Sequence, residues 1–276
     1  MLESNITEDK AGNEYWSGVW QNQDLPKTWD MESLAIKDYV KHSFFIKFKE
    51  SFAEFEGREN VAFVEVGCAR SQILPVFAKS FNFDISGIDY SKVGCEQASA
   101  ILERDGVKGK VYCCDIFNIP DDLVGKFDVV LSIGLIEHFA DTKEIVVALS
   151  KLLKPKGIMF TNVPNMTKCV GFLQKIFDKK VYDIHIPLDK NKVETAHKDA
   201  GLEVIDCSYF LFSNFLVLNL NSTVKKSFIW WLKKLFLNGL VAFSILTWVF
   251  ERTFKIKLKA NSYFSPYINC IARKKD

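Results

Sequence analysis

Val61-Ala-Phe-Val-Glu-Val-Gly-Cys-Ala-Arg-Ser71 is the stretch that decides the fold. Residues 61–66 are a mostly apolar run that reads as a strand buried on both faces, and Gly67 opens a tight loop of small residues leading into a helix. A strand, a turn and a helix start bring free backbone N–H groups to one place, and a glycine there lets a ligand approach the backbone closely. Glu65 stands at the carboxyl end of the strand, where open parallel sheets bind ligands, and its carboxylate serves no core. It is expected to face a cationic or hydroxyl-rich ligand.

Working outward, residues 83–89 read as a second strand, and Asp89 lies 22 residues after Gly67. In a βαβ nucleotide site an acid at about that distance accepts hydrogen bonds from ribose hydroxyls. Tyr90 is placed to lie against an adenine face, and Ser91 to cap a helix running to about residue 105. Residues 110–114 form a third strand, followed by Asp115. Glu65, Asp89 and Asp115 thus end three successive strands and make a polar rim suited to a nucleoside. A fourth strand over 127–132 leads into Ile133-Gly134-Leu135-Ile136-Glu137-His138-Phe139 and a helix over 141–153. Residues 154–157, Lys-Pro-Lys-Gly, read as the turn into a fifth strand over 158–163. A sixth strand is expected over 202–212 and a last one over 267–273. Strands alternating with helices predict a parallel α/β sheet.

Upstream, residues 11–30 hold three of the six tryptophans in a segment without helical or strand period. Such aromatics either plug the end of the core or, as Tyr15, Trp16 and Trp20, form a lid over a ligand. Residues 31–55 place Leu34, Val40 and five phenylalanines mostly at steps of three and four, an amphipathic helix packed on the sheet.

With 276 residues, 48% of them hydrophobic, the chain suits one domain with additions, and a net charge of +2 gives no general case for nucleic acid. Seven cysteines without C-x-x-C spacing argue against a zinc site or a disulfide framework and for reduced thiols in a cytosolic protein. No metal-ligand set is read from the sequence. The first ten residues are acidic and lack an apolar core, so no secretory signal is expected.

Taken in order, Glu65-Val-Gly-Cys-Ala-Arg-Ser71, the acids Asp89 and Asp115, Glu137-His138-Phe139 and the Leu-Leu-Lys-Pro-Lys-Gly run at 152–157 resemble the ordered motifs of class I S-adenosylmethionine-dependent methyltransferases. The resemblance covers residues 60–212 and resumes at the last strand. It implies a Rossmann-like, seven-stranded, mostly parallel sheet flanked by helices. With the residues outside the resemblance, the chain is expected to divide into a lid and helix over 1–56, a core over 57–223, a helical insertion over 224–262 and a final strand over 263–276. The implied cofactor is S-adenosylmethionine, leaving as S-adenosylhomocysteine. Its expected contacts are Trp20, Glu65, Gly67, Cys68, Ala69, Asp89, Tyr90, Asp115, Ile116, Ile133 and Gly134.

Two departures matter. The family's first loop usually has three glycines, where this chain has Gly67, Ala69 and Ser71; this leaves less room beside the cofactor and counts against a dinucleotide, whose pyrophosphate needs G-x-G-x-x-G. The signatures of base-amino and cytosine C5 enzymes are absent, which favours a small-molecule acceptor over nucleic acid. The Trp-Ser-Gly-Val-Trp segment is similar to the aromatic lids of the thiol branch.

Transfer from a sulfonium asks the protein to align the acceptor, exclude water and remove a proton from a hydroxyl. His138 is the expected base. Asp183 and His185 form a second candidate pair, since they share a side if residues 181–189 are extended. His197 is expected to be structural and His42 a surface residue.

Residues 225–259 carry eight basic residues and one acid, a net +7, which leaves −5 for the rest. The uncharged run 235–250 is shorter than the roughly 20 residues a membrane span requires, and Asn238-Gly239 is expected to break it. The segment therefore reads as two helices, 224–237 and 240–252, whose apolar faces bear Trp231, Leu235, Phe243, Leu246 and Val249. These faces suit peripheral contact with the inner face of a membrane or with a second subunit. The expected activity is methyl transfer to a hydroxyl of a small-molecule or lipid-linked acceptor, such as a surface-glycan intermediate. The alternatives are a thiol or amine methyltransferase of a soluble metabolite and a cofactor-binding scaffold without turnover.

Overall fold

Strand β1 (Ala62–Val66) pairs in parallel with β2 (Asp84–Asp89) on one side and β4 (Phe127–Ile133) on the other. β3 (Gly109–Cys113) extends the sheet beyond β2, and β5 (Leu153–Pro164) extends it beyond β4. β7 (Tyr267–Lys274) inserts antiparallel between β5 and β6 (Leu202–Phe210), giving the order β3-β2-β1-β4-β5-β7-β6. This is the Rossmann-like mixed sheet that the motif order implies, seen in a computed structural model that describes residues 7–21, 23–220, 225 and 227–276.

Alternate residues of each central strand serve opposite cores, which is why the strands read as apolar runs. Val64, Val66 and Val130 face α5 (Thr142–Leu152) and α8 (Lys190–Asp199). Phe63, Val129 and Leu131 face α2 (Tyr39–Ser51), α3 (Leu74–Phe81) and α4 (Lys92–Arg104). Phe44, Phe48 and Phe52 come one turn apart and are buried, and Phe48 packs on Phe77 and Phe160 with ring centroids 5.2 Å away in each case.

Several boundaries differ from the sequence expectation. The helix expected from residue 31 begins at Tyr39, after a 3-10 turn at Ile36–Asp38, and Leu34 is exposed. The segment without apparent period contains α1 (Gly12–Trp20). Gly12, Gly18, Asn13 and Ser17 are weak helix formers that mask it, and contacts made outside the helix hold it. Asn13 Nδ2 donates to Tyr90 O, Ser17 Oγ meets Ser91 Oγ at 2.9 Å, and Gln97 Nε2 donates to Trp20 O. The Lys-Pro-Lys-Gly turn is absorbed into β5, with an irregularity in its pairing to β4.

The largest correction concerns the insertion. In place of two helices broken at Asn238-Gly239 there is one 27-residue helix, α9 (Phe228–Phe254); Val224 and Lys226 lie outside the described residues. An interior glycine costs about 1 kcal/mol of helix stability, and anchors on one face offset it. Ser244 Oγ accepts from Phe215 N, Thr247 and Ser213 share a hydrogen bond, and Trp248 Nε1 donates to Ser213 O. Glu251 accepts from the Tyr39 hydroxyl and from Leu258 N–H, and Trp248 stacks on Tyr39 at 5.4 Å. The opposite face is bare: Leu235 is 71% exposed and Leu246 67%. By length and composition α9 could cross a bilayer. However, β6 and β7 are antiparallel neighbours, so the chain leaves and re-enters the sheet at the same end.

Candidate active site

A cavity of about 410 Å³ lies over the carboxyl ends of the central strands, the size of a small-ligand site. Its floor is the loop after β1. Gly67 sits at φ +80°, and the N–H groups of Gly67 and Cys68 donate to Ile88 O. The left-handed backbone at Gly67 explains why this position needs glycine. Asp89, at the end of β2, is a clamp as well as a wall: Oδ2 accepts from Ala69 N–H at 3.0 Å and Oδ1 from Ser91 N–H at 2.8 Å. Burial raises its pKa, and the backbone hydrogen bonds pull the other way. Each oxygen keeps a lone pair for a ligand hydroxyl.

The position where the first loop has alanine instead of glycine is matched elsewhere. The Ala69 methyl faces Gly94 of α4, and a Cβ on Gly94 would lie 2.6 Å from it. The helix supplies the space that the loop does not.

Glu65 is buried and accepts a hydrogen bond from the Ser71 hydroxyl, which also accepts from Ile73 and Leu74 N–H at the start of α3. Burial pushes its carboxyl up to about 7, and the nearby Asp89 adds to the rise. Asp115 accepts from Phe117 N–H and Asn118 Nδ2 at the third strand end and lines the cavity with Ile116, Ile133 and Gly134. Tyr90 also lines it, donating its hydroxyl to Asp9 Oδ2 at 2.7 Å.

Cys68 is the expected contact that the structure turns away. Its sulfur packs into the core against Gly87, and the thiol is fully buried. Trp16 and Trp20 stack at 5.5 Å on the cavity wall, with Arg70 lying over Trp20, while Tyr15 stands outside it.

The far end of the cavity is formed by the loop after β4. His138 is buried there, edge-on to Trp16 at 5.2 Å, with Nδ1 donating to Ile184 O at 2.9 Å. Burial lowers its pKa. The His185 ring lies 4.5 Å away, and burial first, then the neighbouring imidazole, lowers its pKa to about 4. Asp183 does not join them. Residues Lys179–Asp183 form the short helix α7, after α6 (Cys169–Phe177), so the segment is not extended; Asp183 points outward and pairs with Lys179. Instead Glu137 stands beside His138, buried, with its carboxyl pushed up to about 8 by desolvation.

His197 is structural, as expected: it is buried, its Nδ1 donating to Val193 O and its Nε2 accepting from Thr161 Oγ1. His42 is half-buried on α2 and not a free surface residue. Asp9 is a cavity residue that had no sequence signal. Asp9 reaches the site because its segment runs along the loop after β4, Lys10 N–H donating to His138 O. Glu137 reads in sequence only as part of the Glu137-His138-Phe139 motif, with no site role of its own.

A family profile described as a methyltransferase domain matches residues 58–201. A ubiquinone biosynthesis O-methyltransferase of Caulobacter vibrioides is 28% identical over 138 residues, covering 50% of this chain and 54% of that protein. One from Rickettsia conorii is 31% identical over 121 residues, covering 42% and 40%. The chain thus spans about half the length of the relatives it matches. Among solved structures, geranyl diphosphate C-methyltransferase from Streptomyces coelicolor A3(2), in complex with S-adenosyl-L-homocysteine, superposes with a TM-score of 0.59 at 13% identity, covering 95% of this chain and 98% of that one. A cyclase superposes at 0.53 and 15% identity, covering 92% and 85%. One fold therefore carries more than one chemistry, and the activity has to be argued from the site.

Proposed function

Because this chain belongs to the methyltransferase domain family, we propose that its cavity holds S-adenosylmethionine and that the chain transfers the methyl group to a hydroxyl of a small-molecule acceptor. The observation that carries this reading is the placement of Glu65, Asp89 and Asp115 around one end of a cavity whose other end is His138. Three acids suit a nucleoside with ribose hydroxyls and cationic groups, and they oppose a pyrophosphate. Glu65 in particular is a buried carboxyl without a paired cation among the described residues, so a ligand ammonium restores its charged form.

When bound, the cofactor supplies a methyl carbon on a good leaving group. The chain supplies the rest. Trp16 and Trp20 exclude water, Ala69 and Asp89 fix the loop, and His138, with His185 behind it, activates the acceptor oxygen. The relatives' names, O-methyltransferases of ubiquinone biosynthesis, favour an oxygen acceptor over a thiol or an amine.

The acceptor is carried on a lipid, and the chain meets it at a membrane surface. The bare face of α9 supports this, since Trp231, Leu235 and Leu246 are exposed, with Lys234 lying over the rings of Trp230 and Trp231. Such a helix lies in the headgroup layer with its lysines toward anionic lipid. The same-end return of the chain fits a peripheral and not a spanning attachment.

Calorimetric titration with S-adenosylhomocysteine tests the reading. Micromolar binding, weakened at least tenfold in Asp89→Ala and in Asp115→Ala, is expected, followed by turnover of hydroxylated aromatic or glycan acceptors with lipid tails. No binding to the wild type would overturn it. Binding without turnover of any acceptor would favour a scaffold.

A further inference from the structure

Two lone pairs and a carboxylate converge at a place where proton transfer needs one group. Nδ1 of His138 lies 2.9 Å from Ile184 O, and Nδ1 of His185 lies 2.6 Å from Val181 O. A carbonyl oxygen only accepts, so each Nδ1 carries the hydrogen and each Nε2 is left as a lone pair. Two such nitrogens cannot hydrogen-bond to each other. Beside them stands the carboxyl group of Glu137, 1% exposed, whose Oε2 has no hydrogen-bond partner among the described residues and whose Oε1 is 3.9 Å from His138 Nε2. One ligand atom from each of the three residues lies within 4.8 Å of the other two. The unpartnered Glu137 oxygen and the two Nε2 lone pairs are the groups a cation standing among them would satisfy, and that cation would also hold the Glu137 carboxyl in its charged form. Backbone carbonyls on the outer nitrogens are also how imidazole ligands are commonly oriented.

We propose that Glu137, His138 and His185 bind a divalent first-row transition cation of the zinc or iron(II) class. Two imidazoles and one carboxylate suit such an ion, whereas magnesium and calcium prefer oxygen ligands throughout. Bonds of about 2.0–2.2 Å require ligand atoms roughly 3.0–3.6 Å apart, which small side-chain rotations provide. His138 lines the cavity, so the remaining coordination positions serve the acceptor side.

The proposal rests on the methyl-transfer reading and specifies how the acceptor is activated. A hydroxyl bound to the ion loses its proton to water. Its oxygen then forms the new bond to the methyl carbon as the carbon–sulfur bond breaks, the electron pair leaving on sulfur. His138 thereby acts as a ligand and not as a base.

The test uses the full chain, stripped with a chelator and dialysed, then titrated with Co²⁺ by visible absorption and with Zn²⁺ by calorimetry. Binding of S-adenosylhomocysteine is measured separately on the same protein. One ion per chain is expected, with affinity reduced tenfold or more in His185→Gln and in Glu137→Gln, unchanged in His42→Gln, and with S-adenosylhomocysteine affinity within twofold of wild type throughout. Circular dichroism checks folding; if His185→Gln does not fold, Glu137→Gln, which keeps the shape of the side chain, carries the test. No ion bound by the wild type, or equal affinity in the folded variants, would overturn the site. Metal binding without S-adenosylhomocysteine binding would support the site and overturn the methyl-transfer reading.

Discussion

Gly94→Ala places two methyl carbons where there is room for one. The new Cβ would stand 2.6 Å from Ala69 Cβ and 3.4 Å from both Ala69 Cα and Asp89 Oδ1, well inside normal contact for the first of these. Both carbons are fixed directly to backbone, so no flexible side-chain end can swing aside. Either α4 or the loop after β1 must move by about 1 Å, and overpacking of this kind costs about 1–3 kcal/mol. For a domain of this size that lowers Tm by roughly 2–12 °C. Because Ala69 N–H donates to Asp89, the displaced loop also loosens that clamp, and S-adenosylhomocysteine affinity falls with stability. The diagnostic variant is the double one. Ala69→Gly removes the opposing methyl, at a cost of roughly 0.5–1 kcal/mol in unfolded-chain entropy. Combined with Gly94→Ala it restores most of the lost stability and affinity. Urea denaturation and calorimetry on the four proteins complete the cycle. A double variant as impaired as Gly94→Ala alone would refute the claim that the helix glycine compensates for the loop alanine.

Glu65 gives a pH prediction. Burial holds its carboxyl at about 7 against an ordinary 4.5, so between those values the folded chain keeps a proton that the unfolded chain has released. Stability of the ligand-free protein therefore falls as pH rises from about 4.5 to 7, and Glu65→Gln flattens that slope in melts at pH 5 and pH 8. Binding S-adenosylhomocysteine near pH 7 should release protons as its ammonium pulls the carboxyl down, and heats that are the same in buffers of different ionisation enthalpy would contradict this. Leu235→Asp with Leu246→Asp removes two apolar contacts worth about 1.5–3 kcal/mol each. Sedimentation with anionic vesicles should show binding lost in that double variant and cofactor affinity retained. A wild-type dimer in gel filtration that the same variant splits would point to a subunit interface instead. Glu251→Ala strands the Leu258 N–H, at about 1–3 kcal/mol, and removes the acceptor of the Tyr39 hydroxyl, which keeps its bond from Lys257 Nζ; α9 should exchange its amide hydrogens faster while β1 does not.

The central strands were legible because burial on both faces leaves an unbroken apolar run, as at 61–66, and the first three strands also because each ends in an acid at the ligand edge. What could not be read was decided by contacts distant in sequence. α1 holds its helical form through Tyr90 and Ser91, against the preferences of its own glycines. α9 continues through Asn238-Gly239 because Ser244, Thr247, Trp248 and Glu251 are anchored below it, an outcome that local turn preference gets wrong. At the site, Glu65, Asp89 and Asp115 follow from strand ends and were found. Asp183 was misplaced because its alternation with His185 assumed an extended chain. The grouping of Glu137 with His185 depends on a fold-back that no spacing announces.

The position of β7 also orders events in time. β6 has β7 as its neighbour in the sheet, and α9 lies between them in the chain. During synthesis α9 therefore emerges while β6 has nothing to pair with. Helices form in about a microsecond or less, whereas closing distant strands is far slower. The apolar face of α9 is therefore formed before β7 completes the sheet, on a chain in which every residue lining the cavity has already been made.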